Sequence, residues 1–155
     1  KLIKSEDPSD IDNFQQKRVV ALNQNKLVKR DTVLMYHNQR YHSYIQVNPT
    51  TYKVIKPTYN DDGVEVDNVY YDNIVYVSLY QGATKVFSRD FHKQDFKRQI
   101  PGPFLRQGIL SDIVFQKIDQ EGVTYTAVIA SPDSDSSYEV NIIISFRGQM
   151  RLEIQ

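Results

Sequence analysis

The chain has 155 residues, no cysteine, and 19 basic residues against 19 acidic ones, so its formal net charge is zero. This length fits one domain, and the missing cysteines exclude disulfides, thiolate metal sites and a cysteine nucleophile. Because the charges balance, no overall field draws the chain to nucleic acid or to an anionic membrane. No apolar run approaches the roughly 18 residues of a membrane-spanning helix. We therefore expect one domain with no nucleic-acid partner.

The first 30 residues differ from the rest in being polar and lacking a sustained apolar period. Ser9 and Asp10 can cap a short helix here, and an unstructured arm is the alternative. We predict that residues 1–30 form a polar tether or arm and that residues 31–155 form a single antiparallel β domain. The start at Lys1 without an initiator Met indicates processing, such as removal of an export signal, although a cloned fragment would start in the same way.

The remainder of the chain alternates β-prone runs rich in Tyr, Val, Ile, Thr and Phe with short turn signals. Glycine can adopt the positive φ that tight hairpins need, and such short turns force neighbouring strands to be antiparallel. The pattern predicts a mainly β fold, an antiparallel meander of roughly seven to nine strands that closes into a barrel or a sandwich. The glycine turns are Asp62-Gly63, Gln81-Gly82, Glu121-Gly122 and Arg147-Gly148.

The last hairpin has a register that can be argued from alternation. A three-residue loop, Phe146 to Gly148, with glycine at the left-handed position sets Ile144 opposite Met150 and Ile142 opposite Leu152. A two-residue loop would instead set apolar residues against charged ones. We predict the first register, with one face of this sheet in water.

The middle hairpin is apolar on both faces. Pairing across the Gln81-Gly82 turn predicts Val77 opposite Val86 on an aliphatic face and Tyr76 opposite Phe87 on an aromatic face. A strand that is apolar on both sides is usually covered on both sides. This strand is therefore either central or has a tyrosine face that lines a site.

The segment between this hairpin and the next strand breaks the β pattern. We predict one short helix near residues 92–98, with Phe96 inward and the helix ended by Pro101. His92 is expected to cap this helix. The following strand, Ile109 to Ile118, is predicted to pair with Val123 to Ala130.

Several strings in the second half of the chain form a recognisable set together with the terminal hairpin. They are Phe91-His92-Lys93-Gln94-Asp95-Phe96-Lys97, Ile100-Pro101, Phe104-Leu105, Ile109-Leu110, Ile113-Val114-Phe115 and Ala130-Ser131-Pro132-Asp133-Ser134-Asp135. This set resembles an uncharacterised family of exported bacterial lipoproteins, a domain of unknown function from Gram-negative gut commensals. The resemblance covers about Asp31 to Gln155 and implies a polar tether behind a lipid-bearing cysteine, with residence in the periplasm or at the cell surface. It implies no activity and no catalytic residue, and the anchor itself would lie outside this chain.

Two histidines are candidate metal ligands. His37 and His42 flank a turn at Asn38-Gln39, and if Tyr36 pairs with Tyr41 they lie diagonally on one face, about 7–8 Å apart. The alternative is an exposed hairpin tip, which a neighbouring arginine favours.

Two acidic loops, residues 60–63 and 133–136, carry hard oxygen ligands of the kind that calcium prefers. Asp133 and Asp135 are the candidates in the second loop. The alternative is ordinary turns, because Asp, Asn and Ser hydrogen-bond the local backbone in turns. We predict no metal site and no cofactor.

Tyrosine is the strongest lead to a binding surface, because there are eleven tyrosines and no tryptophan. Tyr70, Tyr71, Tyr76 and Tyr80 lie within or beside an acid-rich segment, residues 57–73. Tyrosine offers a rigid amphipathic contact surface, and the alternative is that it fills half-buried strand positions.

Three functions remain open. The first is a non-catalytic binding or interaction domain of an exported protein on a lipid anchor, with a protein, glycan or small molecule as partner. The second is a carrier of a small apolar ligand inside a β-barrel. The third is a hydrolase that uses a pair of carboxylates. The chain contains neither a nucleophile elbow nor a phosphate-binding glycine loop.

Overall fold

The computed structural model describes residues 25–155, which form eight β-strands and two short helical segments. The strand that was predicted to follow the N-terminal arm begins at Val28, and the helix proposed at Ser9 lies outside the described residues. The elements in chain order are β1 Val28–Tyr36, β2 Gln39–Tyr59, β3 Glu65–Gln81, β4 Thr84–Phe91, a 3₁₀ helix Lys93–Phe96, α1 Gly102–Gln107, β5 Ile109–Asp119, β6 Gly122–Ala130, β7 Ser137–Ile144 and β8 Met150–Ile154.

The strands form two four-stranded antiparallel sheets, each a meander: β1 to β4 in the first and β5 to β8 in the second. This confirms the mainly β antiparallel fold and the sandwich, since residues 25–155 form two separate sheets and not a closed barrel. The inner faces share one core in which Phe91, Phe96 and Tyr125 are fully buried. Arg30 of β1 donates two 2.7 Å hydrogen bonds to the Asp112 carboxylate of β5 and so ties the sheets together at one edge.

The β7–β8 hairpin confirms the register predicted from alternation. Ile144 lies opposite Met150 and Ile142 opposite Leu152, as the three-residue loop requires. Gly148 has a φ of +85°, and its backbone N–H donates to the Ser145 carbonyl. The glycine supplies the left-handed conformation that closes the loop.

The β3–β4 hairpin has a different register, so the predicted pairs Val77–Val86 and Tyr76–Phe87 are wrong. The turn residues are Gly82 and Ala83, and a bulge at Val86 shifts the following pairs. A bulge inserts one extra residue and turns the next side chain to the opposite face. Phe87 therefore packs against the core instead of joining the tyrosines. The observed pairs are Tyr80 with Lys85, Leu79 with Phe87, Val77 with Arg89 and Tyr76 with Asp90.

The connection between the sheets contains two helical turns. The predicted one is the 3₁₀ helix, with Phe96 fully buried, His92 at its N-cap and the Asp95 carboxylate accepting a hydrogen bond from the His92 N–H. The second, α1, was not predicted, and it begins directly after Pro101, where the sequence pattern indicated only the end of the first helix. Proline is tolerated in the first turn of a helix because its missing N–H has no partner there, so Pro101 and Pro103 start a helix here.

The far half of the β2–β3 hairpin extends past the other strands of its sheet. Residues 53–59 of β2 pair with residues 65–71 of β3, whereas β1 pairs only with residues 39–47 and β4 only with residues 75–81. Tyr59 at its end is 72 % exposed. In the part of the chain that the structure describes, no helix is long and apolar enough to cross a membrane.

Candidate functional site

The outer face of the first sheet carries a cluster of polar aromatic side chains, His42, Tyr44, Tyr76 and Tyr80. Strand alternation sends Tyr41, Ser43 and Ile45 of β2 into the core, where all three are buried, and leaves the residues between them facing outward. On the adjoining β3 the same alternation buries Val77 and Leu79. The outward residues form three rows across the sheet, namely Lys29–Gln46–Tyr76, Asp31–Tyr44–Ser78 and Val33–His42–Tyr80.

These rows form an open cleft with a volume of about 670 Å³, within the range of small-ligand sites. The charged residues along it are Lys29, Arg30, Asp31 and Arg40, of which Arg30 has its guanidinium bonded to Asp112. The uncharged side chains that line it are His42, Tyr44, Gln46, Tyr76, Ser78 and Tyr80.

A chain of contacts orders one side of the cleft. The His42 Nε2 atom lies 3.0 Å from the Asp31 Oδ1 atom, across the β1–β2 pairing. The His42 ring stacks on Tyr44 with centroids 4.0 Å apart, and Tyr44 meets Tyr80 edge to face at 6.2 Å. Side chains that are already ordered lose less conformational entropy when a ligand binds. This wall is therefore preorganised.

The floor of the cleft is low because its central residue is small. Ser78 is only 2 % exposed and lies between Tyr76 and Tyr80 along β3, opposite Tyr44 on β2. Both floor strands are paired on both sides, β2 with β1 and β3, and β3 with β2 and β4. The backbone groups of the floor are thus used within the sheet, and a ligand can be recognised only by side chains.

The structure brings together two of the four tyrosines predicted as a binding surface. Tyr76 and Tyr80 line the cleft, whereas Tyr70 and Tyr71 lie opposite Val54 and Lys53 in the far half of the β2–β3 hairpin. Sequence reasoning missed Tyr44 and Gln46 as their neighbours. Alternation along β2 does indicate that both residues face outward. Only the β2–β3 register shows that they lie beside Tyr76 and Ser78.

The predicted arrangement of the two histidines is wrong. Tyr36 pairs with Gln39 instead of Tyr41, so His37 and Asn38 are the turn residues and both have positive φ. His37 packs edge to face on Tyr36 with centroids 4.2 Å apart, while His42 lies in the cleft. Among residues 25–155, no cluster of three or more His, Asp or Glu side chains is placed to hold a metal ion.

The second acidic loop folds as a turn. The Ser131 hydroxyl donates to the Asp133 carboxylate at 2.9 Å, and Lys56 lies 3.4 Å from the same oxygen. The Ser131 N–H also donates to the Ser136 carbonyl. Asp135 lies in this loop between the two ends of that bond.

Asp72 belongs to the acid-rich segment but is only 8 % exposed, which the composition did not indicate. Its Oδ1 accepts hydrogen bonds from the N–H groups of Asn73 and Leu110, while Asn73 Nδ2 donates to the Leu110 carbonyl. Burial raises the pKa of Asp72, although these hydrogen bonds and the nearby charge of Lys93 favour the carboxylate. Asp72 and Asn73 together stabilise the start of β5, because they hydrogen-bond both the N–H and the carbonyl of Leu110.

Lys93 makes a similar structural contact. Its ammonium donates to the carbonyls of Arg106 at 3.2 Å and Gly108 at 2.8 Å, which closes the C-terminal end of α1. Burial lowers the pKa of Lys93, and the nearby Asp72 opposes that shift. A buried acid and a half-buried base with shifted pKa values can mark a catalytic site, but both groups here are held by backbone atoms. We assign them a structural role.

A polar pair also lies at the centre of the core. The hydroxyls of Ser43 in the first sheet and Tyr125 in the second share a 2.7 Å hydrogen bond, and both residues are buried. Burial raises the pKa of Tyr125 to about 12, against a smaller opposing effect of the Ser43 hydrogen bond.

Fold and site together define the molecule as a four-on-four antiparallel β-sandwich with a tyrosine-lined cleft on one outer face. The chain matches the family described as "Domain of unknown function (DUF4738)" over residues 7–152, and it therefore belongs to that family. A search of curated proteins found no match.

Proposed function

We propose that this protein is a non-catalytic binding domain and that the cleft on the outer face of the first sheet is its ligand site. The observation that carries the proposal is the ordered wall of Asp31, His42, Tyr44 and Tyr80 beside the low floor at Ser78. Rigid aromatic side chains that keep a polar tip in water are the usual anchors of recognition surfaces.

A catalytic role for the cleft has weaker support. Asp31 and His42 form a pair that could orient a general base, but the other contact of the His42 ring is stacking on Tyr44. Asp31 is also the only carboxylate that lines the cleft among residues 25–155, whereas glycoside hydrolysis needs two.

The proposal is tested by NMR on isotopically labelled protein. Oligosaccharides, short peptides and apolar small molecules are added in turn, and amide shifts are mapped onto the sheet. We expect the shifts to cluster at residues 42–46 and 76–80. Tyr80→Ala should weaken the interaction at least about tenfold, because truncating an aromatic anchor typically costs ~2 kcal/mol.

The matched control is Tyr59→Ala, which removes an exposed tyrosine at the far end of the β2–β3 hairpin and should leave binding unchanged. Circular dichroism of both variants checks that the sandwich is intact. If no compound shifts the cleft amides, or if the shifts persist in the Tyr80 variant, the proposal fails.

We further propose that the domain is exported and held in the periplasm or at the cell surface by its polar N-terminal segment and a lipid anchor. The resemblance of the strings around Phe91–Leu105 to exported lipoproteins supports this. Fractionation of cells that express the complete gene product, with protease added to intact cells, tests it. Recovery in the cytoplasmic fraction would refute it.

A further inference from the structure

We infer that the ligand of the outer-face cleft is a carbohydrate chain that lies along β2, an inference that rests on the proposed function above. Two features of the cleft favour this class of ligand, namely the chemistry of its lining and its position on the face of the sheet.

The position of the cleft argues against a peptide that binds by strand addition. In that mode an extended peptide joins a free sheet edge, where backbone hydrogen bonds supply the affinity. The cleft lies instead on the face of β2 and β3, whose backbone groups are already paired on both sides. A ligand here must therefore be held by side chains. A carbohydrate suits this mode of binding, because each sugar ring carries hydroxyls around its rim that side chains can reach.

The lining fits a hydroxyl-rich ligand that also has apolar ring faces. Tyr44, Tyr76 and Tyr80 offer aromatic surfaces for the C–H faces of sugar rings, and each keeps a hydroxyl for hydrogen bonding. Gln46 and Ser78 between them add amide and hydroxyl groups.

The charged residues add strong donors and an acceptor for hydroxyls. Lys29 and Arg40 donate, the Asp31 carboxylate accepts, and hydrogen bonds to charged groups are shorter and stronger than neutral ones. A purely apolar ligand would desolvate these groups without replacing their hydrogen bonds, which costs affinity.

The length of the cleft favours linked rings over a single sugar. Lys29 lies beside Gln46 at one end, and Arg40 lies six residues away along β2 at the other. Six residues of extended strand span about 20 Å. The polar groups at the two ends can therefore be reached together only by a chain.

The experiment is a calorimetric titration with soluble oligosaccharide series of glucose, mannose, galactose and N-acetylglucosamine units, each from monosaccharide to hexasaccharide. We expect at least one series to bind, with affinity that rises with chain length and then levels off. Tyr76→Ala should weaken that binding at least tenfold, Tyr76→Phe should retain most of it, and the control Tyr59→Ala should not change it.

The outcomes separate this inference from the proposed function. If every oligosaccharide is inert while a peptide or apolar compound shifts the cleft amides, the carbohydrate inference is overturned and the binding site stands. Equal affinity for a monosaccharide and its longer homologues would also overturn it. If nothing of any class acts at the cleft, both fail.

Discussion

Replacing Tyr125 by Phe removes one hydroxyl from the middle of the sandwich and leaves the aromatic ring in place. In the native protein that hydroxyl shares a 2.7 Å hydrogen bond with Ser43 across the two sheets. Both residues are buried, at 0 % and 1 % exposure, so the group that remains after either single substitution has no access to water. Each single variant therefore carries a stranded polar group.

The expected loss of stability depends on whether one hydroxyl of the pair is removed or both are. Leaving a buried hydroxyl without a partner costs about 1–3 kcal/mol, whereas removing both partners can be nearly neutral. We expect Tyr125→Phe and Ser43→Ala each to lower the free energy of unfolding by about 1–3 kcal/mol. The double variant should lose no more than about one single variant does, which corresponds to a coupling free energy of at least about 1–3 kcal/mol.

Urea unfolding of the four proteins, followed by circular dichroism, measures the cycle. The m-values must agree, so that a shift in midpoint reports stability alone. Additive losses in the double variant would show that the two hydroxyls do not depend on each other and would refute the reasoning.

An alkaline titration followed at the tyrosinate absorbance gives a second readout of the same pair. Because burial raises the pKa of Tyr125 to about 12 from an ordinary 10.0, the native state holds that proton longer than the unfolded chain does. The resulting stabilisation is complete below pH 10 and is lost as pH rises through 12. Tyr125→Phe should remove the late step, and its persistence in that variant would contradict the assignment.

Two further substitution pairs test the structure elsewhere. Asp72→Ala should cost about 1–3 kcal/mol because it strands the Leu110 N–H, while Asp72→Asn keeps an acceptor and should cost less. Because the pKa of Asp72 is raised from 3.8, the native state binds its proton more tightly than the unfolded chain, so its contribution to stability falls as pH rises from 3.8 through the raised pKa. The wild-type minus Asp72→Asn difference in urea midpoint should show that fall, and a flat or rising difference would contradict it. Gly122→Ala should cost about 2–6 kcal/mol by thermal unfolding, because φ is +123° and a Cβ would lie 2.0 Å from the Ile144 carbonyl oxygen. Gly63→Ala, at φ +77° with open space around it, should cost only about 1–2 kcal/mol, and equal losses at the two glycines would argue against this packing.

The β7–β8 hairpin shows what local sequence decides. Its register follows from alternation over a few residues and from Gly148 in the loop, and the structure confirms it. The same alternation sends Ile142 and Ile144 into the core, although Ile143 on the opposite face is also buried. The same reasoning failed at β3–β4, since nothing in the local pattern distinguishes the bulge at Val86 from a regular ladder.

The cleft is a property of the tertiary structure. Asp31, Tyr44 and Ser78 form one of its rows only because three strands pair in a particular register, and up to 47 residues of chain separate its members. In the sequence, Asp72 is one of five acids in residues 57–73 and nothing distinguishes it from the others. In the structure it is buried and hydrogen-bonded to Leu110 of β5. Composition and alternation therefore determined a sandwich-compatible antiparallel fold, because those signals act between near neighbours. The site and the buried polar pairs were decided by packing between distant strands, whose registers no local pattern records.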